Sequence, residues 1–218
     1  MTEPPVTRWL FCFGKFDYFY LNSTPETMTP LSGSKTEANL ARAYMIESAN
    51  IRRCEIYAKQ AKRDGYEQIS AIFLEVAEQK RSHTKTLYKF LEDSELEISI
   101  PFKSKGIGDT LQCLREVAAA ESEESDGLFE EFERIAWEEG FKQAATKLKL
   151  FRRIKTFYHE RYEKLISNIE DGIVFKRDKK VKWICRKCGL IYESERALKN
   201  CPGCEHPQAY FEILAENY

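Results

Sequence analysis

Cys185, Cys188, Cys201 and Cys204 form two CxxC pairs separated by twelve residues. A CxxC turn offers two sulfurs to one ion, and two such turns close a tetrahedral four-thiolate site. The flanking residues suit a pair of metal knuckles: Trp183-Ile184-Cys185-Arg186-Lys187-Cys188-Gly189-Leu190-Ile191-Tyr192, then Cys201-Pro202-Gly203-Cys204. Gly189 and Gly203 supply backbone freedom where each knuckle folds its N–H groups toward the sulfurs. Two disulfides are the alternative, but knuckle spacing and the absence of a secretory signal argue against them. One iron in four thiolates is a one-electron carrier, whereas zinc in the same cage is structural. The spacing leaves that choice open.

A second set of chemically capable residues emerges from helical periodicity. From Ser34 to Gly172 the chain reads as four long amphipathic helices. Ser34 with Glu37, and Asp109 with Gln112, suggest capping boxes, while Gly65, Gly140 and Asp171-Gly172 mark helix ends. The apolar seams run Leu40, Tyr44, Glu47, Ile51, Cys54 in the first helix and Phe73, Val76, Lys80, His83, Leu87 in the second. The third gives Leu114, Val117, Glu121, Glu124, Leu128 and Ile135; the fourth gives Leu148, Phe151, Lys155, Tyr158, Tyr162. Each stripe is broken near its middle, by Glu47, by Lys80 and His83, by Glu121 and Glu124, and by Lys155 and Tyr158. A buried charge is costly unless it is paired or bound to metal, so seven such groups at one level predict a convergent polar centre.

The chain has 218 residues, enough for one sizeable core plus a small metal-stapled module. A segment as short as Val181–Tyr218 requires its metal to fold. The net charge of −1 gives no reason to expect nucleic acid or a membrane surface as a partner, and no apolar run has membrane-spanning length. Seven cysteines without a secretory signal point to the cytoplasm or another reducing compartment. Charge is uneven: residues 121–139 carry nine acids and one base, residues 176–187 seven bases and one acid. Two solvated faces account for this, as does docking of the basic module on an acidic helix of its own or a partner subunit. Residues 1–30 are aromatic-rich without helical period, and read either as an extension packed on the bundle or as a start misassigned upstream of Met28.

Trp183, the CxxCGxxY run, the CPGC run and His206-Pro207 through Phe211-Glu212 resemble the rubredoxin-type domain that ends rubrerythrins. Ser34 to Glu37, Glu47-Ser48, Gln60 to Gly65 and Gln68 to Phe73 are similar to that family's first helical pair. Arg134 to Gly140 and Asn168 to Phe175 are similar to its second. The resemblance implies a mainly α protein: a ferritin-like four-helix bundle followed by a small rubredoxin-like metal-binding β/loop domain. The expected division is an N-terminal extension (1–33), the bundle (34–172), a linker (173–180) and the rubredoxin-like domain (181–218). It also implies a peroxide reductase whose bundle holds two irons through glutamates and ExxH motifs, working as a head-to-tail homodimer.

Glu47, His83, Glu121 and Glu124 match ligand positions of that diiron site, but both ExxH motifs are broken. The second helix reads Lys80-Arg81-Ser82-His83 and the fourth Lys155-Thr156-Phe157-Tyr158, so lysines replace both bridging carboxylates and Tyr158 replaces a histidine. His159 is rotated about 100° off the seam, and Cys54 and Phe129 stand where the family has tyrosines. A protonated lysine cannot ligate iron. The expectation is a rubrerythrin-like redox protein with one iron (or zinc) in its four-cysteine site and no intact diiron centre, serving in electron transfer or redox-linked binding with a protein partner. Two alternatives remain: an active peroxide reductase with an altered metal site, and a zinc-stapled interaction protein.

Overall fold

The computed structural model describes residues 30–101 and 103–217; the aromatic N-terminal stretch lies outside them except for its last residue. Helix α1 (Lys35–Arg63) starts where Ser34 accepts the Glu37 N–H at 3.0 Å. The expected box is only half formed there. The Glu37 carboxylate takes the Gly33 N–H (2.7 Å) and the Ser94 hydroxyl (2.6 Å), tying α1 to the segment that follows the second helix. Gly65, at φ +86°, turns the chain into α2 (Glu67–Tyr88). A long crossover then leads to Asp109, which forms a complete capping box with Gln112 at the start of α3 (Thr110–Glu123).

The third bundle helix departs from the expected periodicity. A π turn, Glu124–Leu128, joins α3 to α4 (Phe129–Glu138). One inserted residue moves the inward face on by one position. Glu121, Ser125, Phe129, Phe132 and Ala136 are buried, while Leu128 and Ile135, read as seam positions, are only half-buried. The last bundle helix, α5 (Lys142–Glu170), buries Leu148, Phe151, Lys155, Tyr158 and Tyr162 as its seam requires. α1 packs on α2, and α5 on α3 and α4. Helix starts are held by neighbouring helix ends. Asp64 accepts both the Thr110 N–H (2.8 Å) and its hydroxyl (2.6 Å), and Glu139 accepts the Thr36 N–H (2.8 Å) and hydroxyl (2.7 Å).

Two apolar clusters fill the bundle. One runs from Cys54 and Tyr57 through Phe73, Val76, Leu114 and Tyr162; the other gathers Leu40, Leu87, Phe129, Phe132, Leu148 and Phe151. Of the interrupting residues, the charged ones belong to neither, whereas Tyr158 packs in the first.

The C-terminal domain is a three-stranded antiparallel sheet ordered β2-β1-β3, from β1 (Lys176–Cys185), β2 (Ile191–Arg196) and β3 (Phe211–Ile213). β1 thus begins inside the segment expected to be a linker. A third core forms around buried Trp183 and Phe211, and the Trp183 indole N–H donates to the Ser194 carbonyl at 3.0 Å. The domain meets the bundle at the α1–α2 turn, where Phe175 stacks on Tyr66 with ring centroids 6.1 Å apart. Among the described residues no helix is long and apolar enough to cross a membrane.

Asp64→Ala removes both bonds to the start of α3. It should lower stability by about 1–2 kcal/mol, read as a shift of the urea midpoint with the slope unchanged.

Candidate functional site

The four cysteines converge at the mouth of the C-terminal sheet. Cys185 ends β1, Cys188 lies in the turn after it, and Cys201 and Cys204 come from the loop between β2 and β3. The Sγ atoms lie 3.8 Å apart for Cys185–Cys204 and 3.5 Å for Cys188–Cys201, and all four fall within 4.8 Å of one another. A tetrahedral metal with bonds of about 2.3 Å to sulfur requires S–S edges of about 3.8 Å, so the donor set fits one ion. Backbone N–H groups of Leu190, Gly203 and His206 donate toward Cys188, Cys201 and Cys204, the bonds that steady thiolate charge. Gly189 sits at φ +78°, and a Cβ on Gly203 would come within 3.4 Å of the Cys188 sulfur. Cys185 and Cys201 are buried whereas Cys188 is exposed, so the site has one solvent-facing edge.

The seven seam-breaking residues also meet, between the two apolar clusters of the bundle. Lys80 and Lys155, both 0% exposed, project from α2 and α5. Lys80 Nζ lies 2.7 Å from Glu121 and 3.3 Å from Glu47. Lys155 Nζ lies 2.6 Å from Glu124, 3.3 Å from Glu121, and against Glu47. Glu47 therefore touches both ammonium groups, and its Oε2 also faces His83 Nδ1 at 3.2 Å. Burial alone would push the Glu47 carboxyl up; Lys155, Lys80 and His83 together hold it well below its ordinary 4.5. Burial likewise opposes the ammonium forms, yet Glu121 and Glu47 raise Lys80, and Glu121, Glu124 and Glu47 raise Lys155 well above 10.5. Each of the three carboxylates thus lies against at least one of the two ammonium groups.

Tyr158 is placed at this level but outside the ion pairs. Its hydroxyl donates to Gln79 at 2.9 Å, and its ring lies under Lys80 Nζ, 5.2 Å from the centroid. Phe129 serves Lys155 in the same way at 4.6 Å. Cys54 is buried, 4.0 Å from the Tyr162 hydroxyl, and the His159 ring nitrogen turns away to the Ala118 carbonyl. Sequence reading misses Asn50, whose amide donates to both oxygens of Glu124 at 3.1 and 3.0 Å. It lies one turn beyond Glu47, and a polar residue so near the seam is the available signal. The acidic 121–139 stretch and the basic 176–187 stretch share no ion pair among the described residues; Arg186 and Lys182 pair within their own domain instead.

Comparison with known proteins gives one answer throughout. The family model described as Rubrerythrin matches residues 38–175, and that of the rubrerythrin rubredoxin-like domain matches residues 183–212. The chain is 43% identical to rubrerythrin of Porphyromonas gingivalis over 86% of its own length and 94% of that protein. It is 41% identical to rubrerythrin of Nitratidesulfovibrio vulgaris over 88% of its length and 100% of that protein. Among solved structures, the mixed-valence state of nigerythrin shares the fold, with a TM-score of 0.56 at 24% identity, covering 88% of this chain and 96% of that one.

The pairing of charges sets a pH window. Glu47, depressed from 4.5, contributes stability that is complete above 4.5 and lost as pH falls through its lower folded value; Lys80 and Lys155, raised from 10.5, contribute stability that is complete below 10.5 and lost as pH rises through their higher folded values. Denaturant midpoints should show no loss from these groups between those limits. Lys80→Met leaves Glu47 and Glu121 short of a cation and should cost about 3–5 kcal/mol at neutral pH. Lys80→Met with Glu121→Gln should cost less than the sum of the two single changes.

Proposed function

The chain belongs to the rubrerythrin family, and on that premise we propose that it is a redox protein whose working centre is a single iron held by Cys185, Cys188, Cys201 and Cys204, while its bundle has lost the diiron site. The observation that carries this reading is the position of Lys80 and Lys155. The family's diiron pair needs carboxylates at those two positions, and an ammonium group has no lone pair to give a metal. Each carboxylate left in the cluster is already engaged by a lysine. The residues present do not fit two irons, and no reaction is assigned to the bundle.

The cysteine site fits its metal. Iron bound there supplies a one-electron couple. The chain's own contribution is to hold four thiolates, to donate backbone N–H groups toward them, and to leave Cys188 at the surface near Ile191 and Tyr192, which are 51% and 42% exposed. That exposed edge is where electrons pass to or from a protein partner. A homodimer accounts for the acidic and basic stretches that do not pair with each other in their own chain: the C-terminal domain of one subunit approaches the bundle of the other. A reducing compartment such as the cytoplasm keeps the thiols available for metal.

Protein purified without added metal should contain one iron per chain, with the visible absorption of an iron–thiolate centre, and should not turn over hydrogen peroxide. Cys188→Ser should remove that iron. Anomalous scattering from two iron atoms in the bundle, or iron-dependent peroxide turnover, would replace this reading with the peroxide reductase. Zinc without visible colour would replace it with a structural module.

The charge replacement is tested by Lys80→Glu with Lys155→Glu, which puts five carboxyl groups at one level. That double variant should melt below the native protein and recover stability when ferrous ion is supplied. Native protein should gain nothing beyond its cysteine site.

A further inference from the structure

A cavity of about 490 Å³ lies between α1 and α3, beside residues 99–101, Lys103 and Lys105 of the crossover. It is separate from the cysteine site and meets the buried charge cluster only at Glu124. Its volume falls within the range of about 300–1,000 Å³ typical of small-molecule sites. The floor is apolar, with Ile46, Leu128 and Phe132, and Ile100 and Pro101 form an apolar roof. The rim is basic, with Arg42, Arg53, Lys103 and Lys105.

Of the three acids that share this lining, two are already paired with lysines, leaving Glu116 as one carboxylate against the free cations. Glu124 binds Lys155 and Asn50, and Glu123 pairs with Lys103 at 3.2 Å. Among the described residues Arg42, Arg53 and Lys105 have no carboxylate partner, and Arg53 reaches only the Asn50 side-chain oxygen at 3.1 Å. An apolar chamber edged by uncompensated positive charge selects a ligand with an apolar body and one anionic end. Inorganic anions leave the floor uncovered, and neutral hydrocarbons leave the cations uncompensated. The roof is pinned to α3 by the Lys103–Glu123 pair, whose side chains are 78% and 67% exposed.

We propose that this cavity binds a small organic acid, with its apolar body on Ile46, Leu128 and Phe132 and its carboxylate at the rim formed by Arg42, Arg53 and Lys105. The ligand class is a carboxylate carrying a short alkyl or aryl group.

Octanoate titrated into the full-length, metal-loaded protein tests this, with 1-octanol and inorganic phosphate as parallel arms. Native mass spectrometry should show one octanoate per chain, and the melting temperature of the bundle should rise saturably with octanoate alone. Arg42→Gln with Lys105→Gln, both at exposed positions, should fold normally by circular dichroism and weaken octanoate binding about tenfold or more. Ala120→Leu, which adds bulk to the cavity wall, should weaken it without changing charge. Equal binding of octanol would reduce the site to a hydrophobic void and overturn the proposal. Equal binding of phosphate would reduce it to a surface anion contact, and no saturable octanoate binding would remove it altogether.

Discussion

The bundle is organised around five charged side chains that cannot leave one another. Taking Lys80, Lys155 and Glu47 completely out of water is tolerable only because each ammonium group meets carboxylates from other helices. Glu47 comes from α1, Lys80 from α2, Glu121 and Glu124 from the third bundle helix, and Lys155 from α5, so one cluster fixes the rotation and height of all four. Sliding any helix by one residue turns its side chain by about 100° and leaves a charge facing hydrocarbon. The apolar clusters on either side would accept some repacking; the charge layer between them would not. Specificity of register therefore rests on the polar layer and most of the burial on the apolar ones.

Much of this is legible in the sequence because both signals are local or periodic. The cysteine spacing encodes its site within twenty residues, and of the glycines beside it one sits at φ +78° and the other where an added Cβ would come within 3.4 Å of a sulfur. The seam breaks at Glu47, Lys80, His83, Glu121 and Lys155 follow a helical repeat, and every one is buried at the expected level. Resemblance to a family then supplies what the bare pattern lacks, namely the chemistry that those positions carry elsewhere.

What escapes is information held between distant segments. The π turn at Glu124–Leu128 has no periodic signature, so the seam beyond it reads as Leu128 and Ile135 when the buried face is Phe129, Phe132 and Ala136. Asn50 is an ordinary polar residue until Glu124 is placed against it. Asp64 and Glu139 likewise look like surface acids, because the helix starts they hold lie 46 and 103 residues away in sequence.

The stacked pair of Tyr66 and Phe175 has a consequence for how the molecule breathes. Trp183 and Phe211 anchor a core that shares no residue with either cluster of the bundle, and the two parts meet through this ring pair, the short α1–α2 turn and contacts of α2 with residues 208–213. Cooperative opening follows contiguous cores. The C-terminal sheet and the bundle should accordingly exchange as separate units: amides of β1 would report the stability of the sheet around the four cysteines, and amides at the centre of α5 that of the charge layer.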